Sequence, residues 1–539
     1  MTNQPIRDQV DEADLIVHNA KVTTLQDNGS EADAFAVRGE RFVAVGGEAE
    51  IMRLRCNRTR LIDVGGRRVI PGLNDSHLHA IRGGLFYNLE LRWDGVQSLQ
   101  RGLEMIRDQA KRTPKDQWVR VIGGWSPYQF KEKRMPTVAE LNDAASDTPV
   151  FVLFAYSQVL LNKAGVAALK LTPESKPAEG DHYEFVDGGA IIRGTAAVNA
   201  TVAKLPPLSD VGDQLNSTQR FFRELNRFGM TSTVDAGARV AYPDDFQAVA
   251  TMASRPKFPM RISNFLTAQN AGTELKAFEK WTAGEKRGGN RAASRLNGYV
   301  LEGAGEVLLF GAHDFENFMA PRPEWKEQVE RDLTAVTRVI ASRQWPIRIH
   351  ATYDETISRI LDVFEPVFKE AGYRARWAID HAETIKSGNI ARIKAMGGGI
   401  AIQNRLAFAG EFFLERYGEQ AASSASPLRE IVDAGIPVGA GTDATRVSSY
   451  NPWLSLYWIV TGKTVGGTQV TSPKNRLSRE EALRLYTVGS AWFSGEEDVK
   501  GRIAPGQYAD FAVLSADYLS VPEEQIAQFR RWVEAGMPA

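Results

Sequence analysis

Between residues 72 and 441 the chain repeats a short apolar run of β-forming residues followed by a longer segment, and this alternation constrains its fold more than any other feature. The runs cover 72–79, 230–236, 260–266, 298–310, 346–350, 377–381, 399–403 and 437–441. Intervening segments such as 327–343 and 355–370 carry apolar residues at helical spacing, and 387–396 does so over a shorter stretch. Strands alternating with helices build parallel sheets, because a parallel neighbour is reached only by a crossover long enough to hold a helix. Eight such units predict an α/β fold, a (β/α)8 TIM-like barrel.

The two chain ends carry a different pattern. Short β-rich runs at 15–17, 21–25, 34–37, 42–46 and 60–64 are parted by turn signals, and a similar run occupies 506–514. They predict a small β-sandwich built from both ends, residues 1–70 and 491–539, with 522–534 read as a terminal helix. The barrel then spans 71–490, with an insertion at about 99–226 over its mouth that holds a hairpin at 180–194. A polar loop rich in Gly and Arg is expected at 284–297.

With a net charge of -1 over 539 residues, the chain has no basic field to attract nucleic acid or anionic lipid. Its longest apolar stretch, 149–156, falls short of the roughly 20 residues that cross a bilayer. The N-terminal residues lack the pattern of a secretory signal, and the single cysteine, Cys56, excludes an internal disulfide framework. A cytoplasmic protein acting on a small molecule is expected, with homo-oligomerisation left open.

The chemistry is carried by histidines at strand ends. His77 and His79 share one face of a strand, so both rings can turn to one divalent cation. His350, His381 and Asp443 close later apolar runs, and the C-terminal ends of barrel strands are where active sites assemble. Trp93, Trp125, Tyr128 and Phe130, with Tyr450 and Trp453 later, are expected to roof an apolar pocket, although Tyr457 and Trp458 read as packing residues. Gln403 and Arg405 are candidates for binding a carbonyl or carboxylate, and Arg446 for anchoring an anion. His313 could line the mouth but reads first as solvated, His18 and His182 read as surface or turn residues, and the paired glycines lack a P-loop context.

The segment 71–79 with its His77-Leu78-His79, the later single histidines, Gly441-Thr442-Asp443 and the stretch 506–511 together resemble the amidohydrolase superfamily, nearest to its branch of N-substituted formamide deformylases. The resemblance implies His77 and His79 as the first-strand metal pair, His350 as the fifth-strand ligand, and His381 as a ligand or substrate-orienting residue. It implies Asp443 as a ligand that doubles as general base. Members with two metals often carry a carboxylated lysine on the fourth strand. No lysine occurs between Arg287 and Trp325, which turns attention to Glu302 and Glu306. The implied cofactor is one or two divalent ions, zinc before others. The implied reaction is hydrolysis of a non-peptide carbon–nitrogen bond, in a hydrophobic N-substituted amide or formamide. Two other readings stand beside it: a single-metal deaminase of an amidine-like ring, and a non-catalytic binding protein that retained the metal residues.

Overall fold

The eight predicted runs form one parallel sheet in a computed structural model that describes residues 12–27, 29, 31–177, 181–237, 240–284, 298–314, 318 and 324–529. We label the strands β1 (Leu73–Leu78), β2 (Met230–Asp235), β3 (Arg261–Leu266), β4 (Tyr299–Ala304), β5 (Ile347–Ala351), β6 (Trp377–His381), β7 (Gly399–Gln403) and β8 (Val438–Gly441). Each pairs with its neighbour in chain order, from β1 to β8. The ring closes just past the strand ends, where Asp443 N donates to His77 O at 2.8 Å and His79 N to Ala444 O at 3.0 Å. Gly441 permits this closure, since a Cβ there would lie 2.5 Å from His77 N. The result is the predicted TIM-like barrel.

Amphipathic helices Glu327–Ser342 and Asp354–Ala371 follow the predicted periodicity and bury Leu333, Val336, Ile340, Ile357, Ile360 and Phe364 in the main core. The fourth run departs from its expected length. Strand β4 stops at Ala304, and Gly305 and Glu306 turn inward to donate their N–H groups to Leu266 O and Ala236 O, each at 2.7 Å. That turn carries Glu306 over the end of the barrel.

Two four-stranded sheets lie at the chain ends. One contains Leu15–His18, Ala34–Arg38, Arg41–Gly46 and Arg60–Asp63; the other contains Lys21–Thr23, Glu31–Ala32, Arg68–Pro71 and the C-terminal Phe511–Val513. Val17, Phe35, Phe42, Val69 and Val513 pack between them. The expected terminal helix is instead a 3-10 turn at Glu523–Gln528, whose Ile526, with the following Phe529, is buried in the main core; 530–534 lie outside the described residues. The expected polar loop falls outside them from 285 to 297.

The insertion folds a six-stranded sheet of its own, which starts at Glu90–Leu91, earlier than position 99, and ends in the hairpin His182–Val186 and Gly189–Arg193. Between these, Val119–Val121, Val150–Phe154 and Gln158–Leu161 are its inner strands. Among the described residues, no helix is long and apolar enough to cross a membrane.

Candidate metal centre

Strand β1 delivers the first two histidines. Asp75, buried beneath them, accepts from His77 N at 2.9 Å, Thr442 N at 3.1 Å and Thr442 Oγ1 at 2.7 Å, so one carboxyl ties β1 to the residue after β8. Burial pushes that carboxyl up to about 7. His79 ends the strand and starts the helix Ala80–Phe86, whose Ile81 N donates to Asp235 at 2.7 Å. The two rings stand 5.3 Å apart.

The remaining groups arrive from β5, β6, β8 and the turn after β4. His79 Nε2 lies 3.2 Å from Asp443 Oδ1 and 3.4 Å from Glu306 Oε1. Glu306 Oε2 lies 3.2 Å from His381 Nε2, 3.4 Å from His350 Nδ1 and 3.6 Å from His77 Nε2. Two sets, His77 with Glu306 and His381, and His77 with His79 and Asp443, each bring their donor atoms within 4.8 Å of one another. All six residues are buried. His381 and Asp443 hold left-handed backbone conformations, φ 84° and 54°, which turn both side chains into the cluster at the cost of local strain.

Burial and neighbouring charges act in opposite directions on these groups. Burial opposes protonation of His77, but Asp380 and Glu306 outweigh it and push its pKa up to about 10. Burial likewise raises the Glu306 carboxyl, yet the charge of His77 and hydrogen bonds from His350 and His381 hold it well below the ordinary range. His381 is kept neutral by burial, with the charge of Arg405 next in size. Among the described residues, His77 Nε2, His79 Nδ1 and His381 Nδ1 have no hydrogen-bond partner. Buried imidazole nitrogens beside converging carboxylates are the donor set that divalent metals take, with the proton on His77 given up on binding, so the residues fit the expected ion.

Three acidic residues behind the cluster were not singled out in the sequence. Asp380 lies 3.1 Å from His77 Nδ1 and is itself gripped by Arg348, whose Nε donates at 3.1 Å. Asp314 lies 3.1 Å from His350 Nε2 and accepts from Thr352 N and Tyr353 N at 2.8 and 3.0 Å. Asp235 anchors the helix after His79. A carboxylate adjoining a histidine, as in Asp380-His381 and His313-Asp314, was the available signal for two of them. His313, read as solvated, instead packs on His350 at 3.8 Å and lines the cleft.

The structure places the other candidates elsewhere. Glu302 lines a small cavity where β5 and β6 begin, with Phe265, Arg348 and Phe493. Trp93 and Trp125 are buried in the core of the inserted sheet, where Trp125 Nε1 donates to Leu153 O at 3.0 Å. Trp453 donates to Phe228 O at 2.8 Å and packs on Phe529. Arg405 is committed to Glu383 at 2.7 Å, and Gln403 donates to Ala401 O at 2.9 Å. Tyr128, Phe130, Tyr450 and Tyr457 line a separate cleft of about 930 Å³ that contains none of the clustered histidines. The cleft over the histidine cluster is small, about 70 Å³, and polar, lined by Arg82, Tyr156, His313, Asp443 and Arg446 among others.

A model of the amidohydrolase family matches residues 60–535. An N-substituted formamide deformylase of Arthrobacter pascens is 25% identical over 527 residues, covering 94% of this chain and 94% of that protein. Two solved structures, each titled an uncharacterized metal-dependent hydrolase, share the fold. The one from Pyrococcus furiosus has a TM-score of 0.66 at 22% identity and covers 94% of this chain and 100% of its own. The one from Pyrococcus horikoshii has 0.67 at 20%, covering 95% and 99%.

Proposed function

The chain belongs to the amidohydrolase family, and from that premise we propose that it is a metal-dependent hydrolase of N-substituted amides, formamides foremost. The observation that carries this reading is the position of Glu306, whose Oε1 faces His79 and whose Oε2 faces His350 and His381, with His77 also within reach of Oε2. A carboxylate divided in this way suits a bridging ligand and hence two ions. His77, His79 and Asp443 would hold one of them, His350 and His381 the other, with Glu306 shared. Zinc matches the nitrogen and carboxylate donors. When bound, such ions polarise a carbonyl and make water a nucleophile at neutral pH.

The chain's own residues then manage the proton. Burial raises the Asp443 carboxyl, but a hydrogen bond from His79 and the charge of His77 hold it below its ordinary range, so it is ionised and can accept a proton from the attacking water. Asp443 returns that proton to the departing nitrogen, which leaves as an amine because its anion is a very poor leaving group. The deformylase relative of similar length supports a formyl or other short acyl group, as does a cleft of about 70 Å³. The hydrophobic character expected of the substrate loses the support of Trp93, Trp125 and Trp453, because those side chains pack in cores.

The test is product analysis. Purified protein with zinc should release formate or acetate together with a primary amine from short N-substituted amides, and Asp443→Asn should lower kcat by about 10²- to 10⁴-fold. Ammonia released from amidine-like rings, with no amide turned over, would replace this reading with hydrolytic deamination.

A further inference from the structure

The cleft above the histidine cluster holds two guanidinium groups that amide hydrolysis does not require. Arg82 lies on the helix Ala80–Phe86, and Arg446 follows Asp443 by three residues; both line the cleft. Both donate to the phenolic oxygen of Tyr156, at 3.5 and 3.1 Å. Arg82 is only 6% exposed, and its Nε has no hydrogen-bond partner among the described residues. Within those residues no carboxylate lies within 4.0 Å of either guanidinium.

Arg82 differs from the buried arginines that hold ion pairs, and shares with buried Arg120, which donates to Gln117 and the Pro206 carbonyl, the lack of a carboxylate partner among the described residues. Arg348 is matched by Asp380, Arg405 by Glu383 and Arg68 by Asp517. A buried cation with no carboxylate in contact is costly, and a second cation beside it adds repulsion, while the charges of Asp443 and Asp235 favour Arg82 from farther off. Burial, together with the charge of Arg446, pulls the Arg82 guanidinium below its ordinary pKa. The third member is presented by a strained turn. Ala155 and Tyr156 are successive non-glycine residues in the left-handed region, at φ 43° and 54°, between strands Val150–Phe154 and Gln158–Leu161 of the inserted sheet. The insertion thereby supplies a wall of the barrel's cleft.

We propose that Arg82, Arg446 and Tyr156 form a carboxylate-binding subsite, and that the substrate is a small amide bearing a carboxylate a few bonds from the scissile nitrogen. Two guanidiniums and a phenol offer convergent donors to a planar anion. The assignment rests on the amide-hydrolase reading of the same cleft, and the experiment separates the two.

Zinc-loaded wild type, Arg446→Gln and Arg446→Lys would be assayed with N-formylglycine, 3-formamidopropanoate and 4-formamidobutanoate against the matching carboxamides. In parallel, calorimetry would measure binding of glutarate, glutaramide and inorganic phosphate. At least tenfold higher kcat/KM for a carboxylate than for its carboxamide is expected. That preference should collapse in Arg446→Gln through KM and recover in part in Arg446→Lys, with glutarate affinity following the same order. Equal rates for the paired substrates, a preference unchanged in Arg446→Gln, or phosphate bound as tightly as glutarate would overturn the carboxylate assignment. If no amide is turned over, the hydrolase reading fails, while glutarate binding lost in Arg446→Gln still upholds the subsite. Turnover of neutral amides without glutarate binding sinks the subsite alone.

Discussion

Asp380 lies 3.1 Å from Nδ1 of His77, while the next residue, His381, reaches the same cluster from the same strand. Successive residues of a regular strand face opposite ways. Both meet His77 because His381 leaves the extended region, with φ 84°. Asp380 therefore orients His77 from behind while His381 enters the cluster, and Arg348 holds Asp380 in place. Outer carboxylates of this kind fix the tautomer of a ligating imidazole and raise its basicity. Asp380→Asn should weaken zinc affinity by about 10- to 100-fold, measured by competition with a chromophoric chelator. Unchanged affinity would reduce Asp380 to a partner of Arg348.

The two glutamates of the fourth run separate cleanly in space. Elemental analysis of zinc-loaded protein should find two ions per protomer in wild type, at most one in Glu306→Ala and two in Glu302→Ala. One ion in wild type, retained in Glu306→Ala, would dissolve the bridging role proposed for Glu306.

Away from the cleft, Glu481 closes a capping box with Ser478 and receives Arg429 at 2.7 and 2.9 Å, which joins helices Arg479–Arg484 and Leu428–Asp433. The hydrogen bond from Arg429 outweighs burial and holds the Glu481 carboxyl at about 2 rather than 4.5. A depressed carboxylate stabilises the fold above its unfolded value and loses that contribution as pH falls through the folded one. Both side chains are about one-third exposed (34% and 35%), so water screens the pair and Glu481→Gln should cost about 1 kcal/mol at pH 7. The gap in urea midpoint between variant and wild type should narrow as pH falls from 4.5 towards 2. A gap independent of pH would assign the effect to packing.

The barrel was legible because its signal is local. Eight apolar runs parted by helical segments leave few alternatives to a closed parallel sheet, and the observed strands fall within a few residues of those runs, except where β4 ends early at Ala304. The spacing of His77 and His79 placed them on one face for the same reason. Tryptophans misled because an aromatic side chain reads alike in a pocket wall and a core; Trp93, Trp125 and Trp453 chose cores.

The sequence by itself determined the strand–helix order, the histidines at strand ends and the acid after the eighth strand. Periodicity and residue type alone specify these. Only the tertiary structure separated Glu302 from Glu306 in space, four residues apart in one run, because the chain turns inward where β4 stops and places the second carboxylate among four histidines. It alone also gathered Asp380 behind His77, Asp314 behind His350, and Tyr156 from the insertion against Arg82 and Arg446. Such pairings depend on register and on contacts between residues up to hundreds of positions apart, which no local pattern encodes.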